Sequence, residues 1–133
     1  MKIFVSCKYS GEDVVELGEI MGKIHSSLEK AGHTVFSSFG EEEMFKKKNF
    51  SNKHILEHCL RELDTSDCVL AFVKSPEKSE GMLLEVGYAL AKGKRIILAI
   101  KSGIKMNFLP QIASEVIEFK TYDELYSKLE SFN

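Results

Sequence analysis

Five short apolar runs, each set apart from the next by enough chain for a helix, constrain this sequence more than any other feature. They are Lys2–Ser6 (KIFVS), His33–Ser37 (HTVFS), Cys68–Val73 (CVLAFV), Arg95–Ile100 (RIILAI) and Val116–Phe119 (VIEF). CVLAFV and the body of RIILAI show no polar alternation, the pattern of strands covered on both faces. Between the first two runs, Val14, Leu17, Met21, Ile24, Leu28 and Ala31 recur at three and four residues, and Gly32 closes that amphipathic helix. Gly18 and Gly22 share one side of it and predict close packing there. Gly40–Phe50 (GEEEMFKKKNF) has no periodicity and reads as a charged loop, or as a lid over whatever lies beyond the second strand. Ser51 is placed to cap a second helix that carries Ile55, Leu56, Cys59, Leu60 and Leu63 inward. A third runs from Ser79 to Gly93, a short one surrounds Pro110, and Thr121 with Glu124 opens the last at capping-box spacing. Strands alternating with helices predict an α/β fold: a doubly wound five-stranded parallel sheet, flavodoxin-like, in the order 2-1-3-4-5, with helices on both faces. The 133 residues amount to one domain spanning 1–133, without linker or repeat.

The net charge of −2 supplies no field for a nucleic acid polymer. No apolar run approaches the length of a membrane span. The cysteines, Cys7, Cys59 and Cys68, are odd in number and lack CxxC spacing, so they read as free thiols. MKIFVS enters a strand directly, with no charged-then-apolar leader, and the expected location is the cytoplasm. GxSxG, Walker and GxGxxG patterns are absent. His54 and His58 are four apart, but Ile55, Leu56 and Glu57 lie between them rather than a zinc-protease pattern. They read as a surface pair, and no metal is expected.

SEGMLLEVGYALAKGK, from Ser79 to Lys94, holds the candidate chemistry. At about 100° per residue, Glu85 and Tyr88 fall within about 40° of Gly81, on the side away from most of the apolar residues. In this fold the helix start faces the ligand crevice, so Ser79 and Gly81 form an anion-binding opening with Glu85 one turn further in. Gly87 is expected to let the helix lie close to the sheet. Spacing alone reads Glu85 as a solvated surface glutamate.

DTSDCVLAFV, then Ser79-x-Gly81-x-x-x-Glu85-Val-Gly87-Tyr-Ala, then Gly93-Lys94 and RIIL resemble the nucleoside 2-deoxyribosyltransferase superfamily, including its 2′-deoxynucleoside 5′-monophosphate N-glycosidase branch. The resemblance implies that Glu85 is the nucleophile at the anomeric carbon, through a covalent glycosyl-enzyme as in retaining glycosidases. It implies that Ser79 contacts the 5′ end of a nucleotide or nucleoside substrate. It places the SCKYSG loop, with Ser6, Lys8, Tyr9 and Ser10, at the sugar and phosphate. It also implies a homodimer, with Asn107 in the place of a polar side chain that reaches the neighbouring subunit's phosphate. No cofactor is needed by this chemistry. Two positions depart from the pattern. Cys59 stands where the family carries an aspartate that orients the sugar or activates the nucleophile, eight residues before Asp67. Asp64 lies about 140° round the helix from it. Asp67 itself reads as structural, at the entry to the strand. Ser38 and Phe39 replace a histidine or acid after the second strand; Phe39 either stacks on a base or belongs to the core.

Four functions stay open at this point. One is N-glycosidic cleavage of (deoxy)nucleoside 5′-monophosphates, and another is deoxyribosyl transfer between nucleosides. A third is NAD cleavage, since FVSCKYSGED resembles the first box of Toll/interleukin-receptor-like domains. The last is a non-catalytic nucleotide-binding module, which Cys59 favours.

Overall fold

The computed structural model describes residues 1–133. Its strands are β1 (Lys2–Cys7), β2 (Thr34–Ser37), β3 (Cys68–Val73), β4 (Arg95–Lys101) and β5 (Glu115–Phe119). The α-helices are α1 (Val14–Lys30), α2 (Glu42–Lys47), α3 (Asn52–Asp64), α4 (Glu80–Ala91), α5 (Leu109–Ile112) and α6 (Tyr122–Glu130). All pairings are parallel and the order is β2-β1-β3-β4-β5, as the sequence pattern predicts.

Every residue of β3 is buried, and its alternation divides the core in two. Cys68, Leu70 and Phe72 join Leu17, Met21, Ile24 and Leu28 of α1 and Leu125 and Leu129 of α6. Val69, Ala71 and Val73 join Cys59 and Leu63 of α3 and Met82, Val86 and Ala89 of α4. The same period of two along β1 sends Ile3 and Val5 to the first layer and Phe4 to the second. Ser6, next in line after Phe4 and Val5, therefore falls on the α3/α4 side. This one alternation delivers a buried hydroxyl to the face where α4 packs.

The caps follow the sequence signals. Asp13 accepts from the backbone N–H of Val15 and Glu16, Ser51 from His54, Ser79 from Met82 and Thr121 from Glu124. Asp67 sits at the entry to β3 and accepts from the Lys2 N–H at 2.7 Å, so it is structural.

Several expectations are corrected. Val14 is exposed, and Ile20 and Ser27 are buried in the α1 face instead. A Cβ at Gly22 would meet open space, and one at Gly18 would meet only the Phe39 ring, at 3.5 Å. Neither glycine marks a close backbone approach. The charged loop contains α2, with Glu42 and Glu43 in its first turn and Lys46 and Lys47 in its last, each sign at the helix end it stabilises. Phe45 anchors it, stacking on Phe50 and meeting the His58 ring edge-on. His58 is thus part of an aromatic cluster rather than one of a surface pair. Asn49, at φ 53°, turns the chain out of the helix.

Candidate active site

The buried face of α4 is Met82, Glu85, Val86 and Ala89, the i, i+3, i+4, i+7 register of a helix lying on a sheet. Glu85 is in that register, only 7% exposed. This reverses the sequence expectation, which put it on the polar side beside Gly81. Gly81 and Gly87 are on the outer side with open space above them, so neither brings the helix close to the sheet. Leu83, Leu84 and Leu90 are exposed. The helix is apolar on nearly all sides, so a count of apolar residues around it does not find the side that packs.

A carboxyl buried in this way needs a polar partner. Ser6 supplies it: its hydroxyl donates to Glu85 Oε1 at 2.5 Å. Ser6 lies next to the end of β1, paired with Ala71 in the middle of the sheet, so the donor stands on a rigid element. Burial, opposed in part by the Ser6 hydrogen bond, raises the Glu85 carboxyl to about 7. Glu85 thus has both a proton-bearing and an ionised form close to neutral pH, which suits a group that must lose its proton to act. Ser6→Ala removes the hydrogen bond that favours the charged form. The acid limb of the activity profile is expected to move up by about one pH unit, read from kcat/KM against pH.

The neighbouring thiols are not competing nucleophiles. Cys59 is buried on α3 in the same apolar layer, and burial followed by the charges of Glu85, Glu62 and Glu41 raises it to about 12. Cys7 is also raised to about 12, by burial, then Glu85 and Glu12. Both remain neutral thiols at physiological pH.

A cavity of about 340 Å³ opens at the carboxyl ends of β1, β3 and β4, where doubly wound sheets hold ligands, and neither Glu85 nor Ser6 lines it. Lys8, Ser79 and Asn107 line it together. Asn107 thus faces the cavity of its own subunit. The cavity reaches Met82 and stops there, one helical turn before Glu85 on the same face of α4. The other expected residues lie elsewhere. Tyr9 and Phe39 pack on each other, with ring centroids 5.7 Å apart, against the α1/α6 layer. Ser10 contributes its backbone carbonyl, which accepts from Lys8 Nζ. Asp64, too far round the helix to substitute for the missing aspartate, accepts from the Tyr88 hydroxyl at 2.6 Å. Glu12, Lys74, Glu77, Lys78, Lys105 and Phe108 also line the cavity and were not singled out by sequence reasoning. The available signal was their place in the loops that follow β1, β3 and β4.

The family model for nucleoside 2-deoxyribosyltransferases matches residues 12–124, a span that includes α4 with Ser79 and Glu85. The chain belongs to this family. Among solved structures, the nucleoside 2-deoxyribosyltransferase-like fold recurs in CMP N-glycosidase BcmB of Clostridium botulinum, at 19% identity and a TM-score of 0.73, covering 98% of each chain. It recurs in the 2-deoxyribosyltransferase of Bacillus psychrosaccharolyticus at 20% identity and a TM-score of 0.72, covering 100% of this chain and 93% of that one. A conserved protein of Enterococcus faecalis follows at 13% identity and a TM-score of 0.65, covering 98% of this chain and 97% of that one. No curated protein matches the sequence. No helix is long and apolar enough to cross a membrane.

Proposed function

We propose that this member of the nucleoside 2-deoxyribosyltransferase family cleaves the N-glycosidic bond of (deoxy)nucleoside 5′-monophosphates, with Glu85 as the nucleophile. One observation carries the proposal: a buried carboxyl, fixed by Ser6 at 2.5 Å, one helical turn beyond a cavity lined by lysines. From Ser79 at the helix start to Glu85 is six residues, a rise of about 9 Å, which leaves room for a sugar ring between a phosphate and the carboxylate. With the phosphate among Lys8, Ser79 and Asn107, the sugar lies over Met82 toward Glu85.

The ionised carboxylate attacks the anomeric carbon. The C–N bond breaks, and its electron pair leaves with the base, which takes a proton from water. A water then attacks the same carbon and gives its proton to the hydroxide left when the base was protonated, the ester bond to Glu85 breaks, and the free carboxylate returns as sugar phosphate departs. The activity named for the Clostridium relative, a CMP N-glycosidase, supports the monophosphate reading. The activity named for the Bacillus relative supports a second one, in which a free base replaces water in the last step. A homodimer belongs to the same proposal, and the exposed leucines of α4 offer it an apolar face. A monomer in sedimentation would count against that part.

The decisive experiment follows base release by chromatography from deoxy- and ribonucleoside monophosphates, free nucleosides and NAD. Release from a monophosphate, abolished in Glu85→Gln, is the expected result. Release that survives in Glu85→Gln removes the nucleophile assignment. Nucleotide binding without release from any substrate favours the non-catalytic module.

A further inference from the structure

The cavity at the carboxyl ends of the strands carries its own anion. Lys8 Nζ lies 3.2 Å from Glu77 Oε2 and donates to the Ser10 carbonyl at 2.5 Å. The two partners differ sharply: the Lys8 side chain is 17% exposed and that of Glu77 is 72% exposed. Lys8 is held from below by the loop after β1, whereas Glu77 reaches it from solvent. Glu77 makes no other side-chain hydrogen bond or ion pair. The second enclosed lysine, Lys74, is arranged differently. It sits 3.4 Å from Glu12, whose side chain is 14% exposed, and 4.0 Å from Glu16. Two carboxylates, one of them enclosed, commit Lys74 to the structure. Only Lys8 has a partner that is free to leave.

We propose that the Glu77 carboxylate stands in for a phosphomonoester on Lys8, and that a phosphorylated ligand enters the cavity by displacing it. The inference rests on the proposed site and adds to it a residue that sets affinity for the phosphate. Charge supports it. Four lysines (Lys8, Lys74, Lys78 and Lys105) and two glutamates (Glu12 and Glu77) line the cavity, leaving two positive charges. A phosphomonoester carries about −1.5 to −2 at neutral pH and three acceptor oxygens, where a carboxylate carries one charge and two. An ion pair as exposed as Lys8–Glu77 contributes little, so a dianion able to reach Lys8, Lys78 and Lys105 together outcompetes it. Ser79 and Asn107 line the same space and offer neutral hydrogen-bonding groups. An unphosphorylated nucleoside has nothing to exchange for Glu77. Displacement of Glu77 therefore selects for the phosphate group itself.

The test titrates inorganic phosphate calorimetrically into the full chain and into Glu77→Gln, Lys8→Gln and Glu130→Gln, the last a remote charge change on α6. Glu77→Gln is expected to bind phosphate about three- to tenfold more tightly at low salt, with the gap closing near 1 M salt, where the Debye length is about 3 Å. Lys8→Gln is expected to weaken it about tenfold, and Glu130→Gln to leave it unchanged. In steady state, Glu77→Gln lowers KM for a nucleoside monophosphate and leaves that for the matching nucleoside unchanged. Equal or weaker phosphate binding by Glu77→Gln overturns the inference, as does no detectable binding by any variant. Tighter binding by Glu77→Gln with no base release by the native chain sinks the glycosidase reading and leaves this one standing. Base release with unaltered phosphate binding does the reverse.

Discussion

Glu85→Gln is expected to lower base release by about a thousandfold or more and, in the same molecule, to stabilise the fold above neutral pH. The first effect follows from the proposed role of Glu85 as nucleophile. The second follows from where Glu85 lies. Burial raises its carboxyl from the ordinary 4.5 to about 7 in the folded chain. Below 4.5 the carboxyl is protonated in both the folded and unfolded chain, and it contributes no difference. Between 4.5 and 7 the unfolded chain releases the proton that the native state still holds, so native stability falls as pH rises. Above 7 the loss is complete and amounts to about 3 kcal/mol, at about 1.4 kcal/mol per pH unit. Glutamine keeps an acceptor for the Ser6 hydroxyl and has no proton to lose. Its NH2 gains no certain partner, which takes back part of the benefit. Urea denaturation of both proteins from pH 4 to pH 8 reads the difference. The two stabilities should diverge through this range, with the variant ahead by about 2–3 kcal/mol at pH 8. Parallel curves would show that Glu85 is not held above its ordinary range by burial. An active site that weakens its own fold is a common cost of placing a reactive group where packing would prefer an apolar one.

The features that the sequence makes readable share a physical basis. Strand order follows from the continuous apolar runs of β3 and β4, which require cover on both faces and so belong at the centre of the sheet. The inward position of Ser6 is readable from the period of two along KIFVSC, once Phe4 is known to face α3 and α4. Helix phase is readable in α1, where polar residues mark the outer side, but not in α4. There Leu83, Leu84 and Leu90 are as apolar as Met82 and Val86, and only contact with the sheet decides which side is buried. Glu85 looked outward because the exposed leucines drew the apparent apolar face away from it. The short helix α2 shows no periodicity in six residues, and its signal lies in charge order, EEE before KKK. The Lys8–Glu77 and Lys74–Glu12 pairs join loops far apart in the chain and depend on β1 lying beside β3. No local spacing encodes them.

Cys59→Asp is expected to raise base release by about tenfold or more while destabilising the chain by about 1–3 kcal/mol. Cys59 stands where the resemblance implies an aspartate. It is 2% exposed on α3, in the layer that holds Met82 and Val86, close enough for the Glu85 charge to act on its thiol. The thiol is neutral, so Glu85 stands there as a lone carboxyl. Aspartate would create a pair of carboxyls in a poorly solvated space, where both cannot ionise readily. The pair would then release its first proton below about 7, because the retained proton can be shared with the charge it leaves behind, and its second well above. The native kcat/KM should therefore rise along a single limb through about 7, whereas the variant should show a bell with its acid limb displaced downward. Cys59→Ser keeps the volume and adds no charge, and it should shift neither limb. The cost in stability comes from burying a carboxyl among apolar side chains, and denaturation reads it separately from rate. If the folded aspartate variant shows the native limb and the native rate, the thiol at position 59 is not what limits Glu85. If the bell appears with a higher rate, the departure from the family pattern at Cys59 is a reduction of the same catalytic pair, and Glu85 is the half that remains.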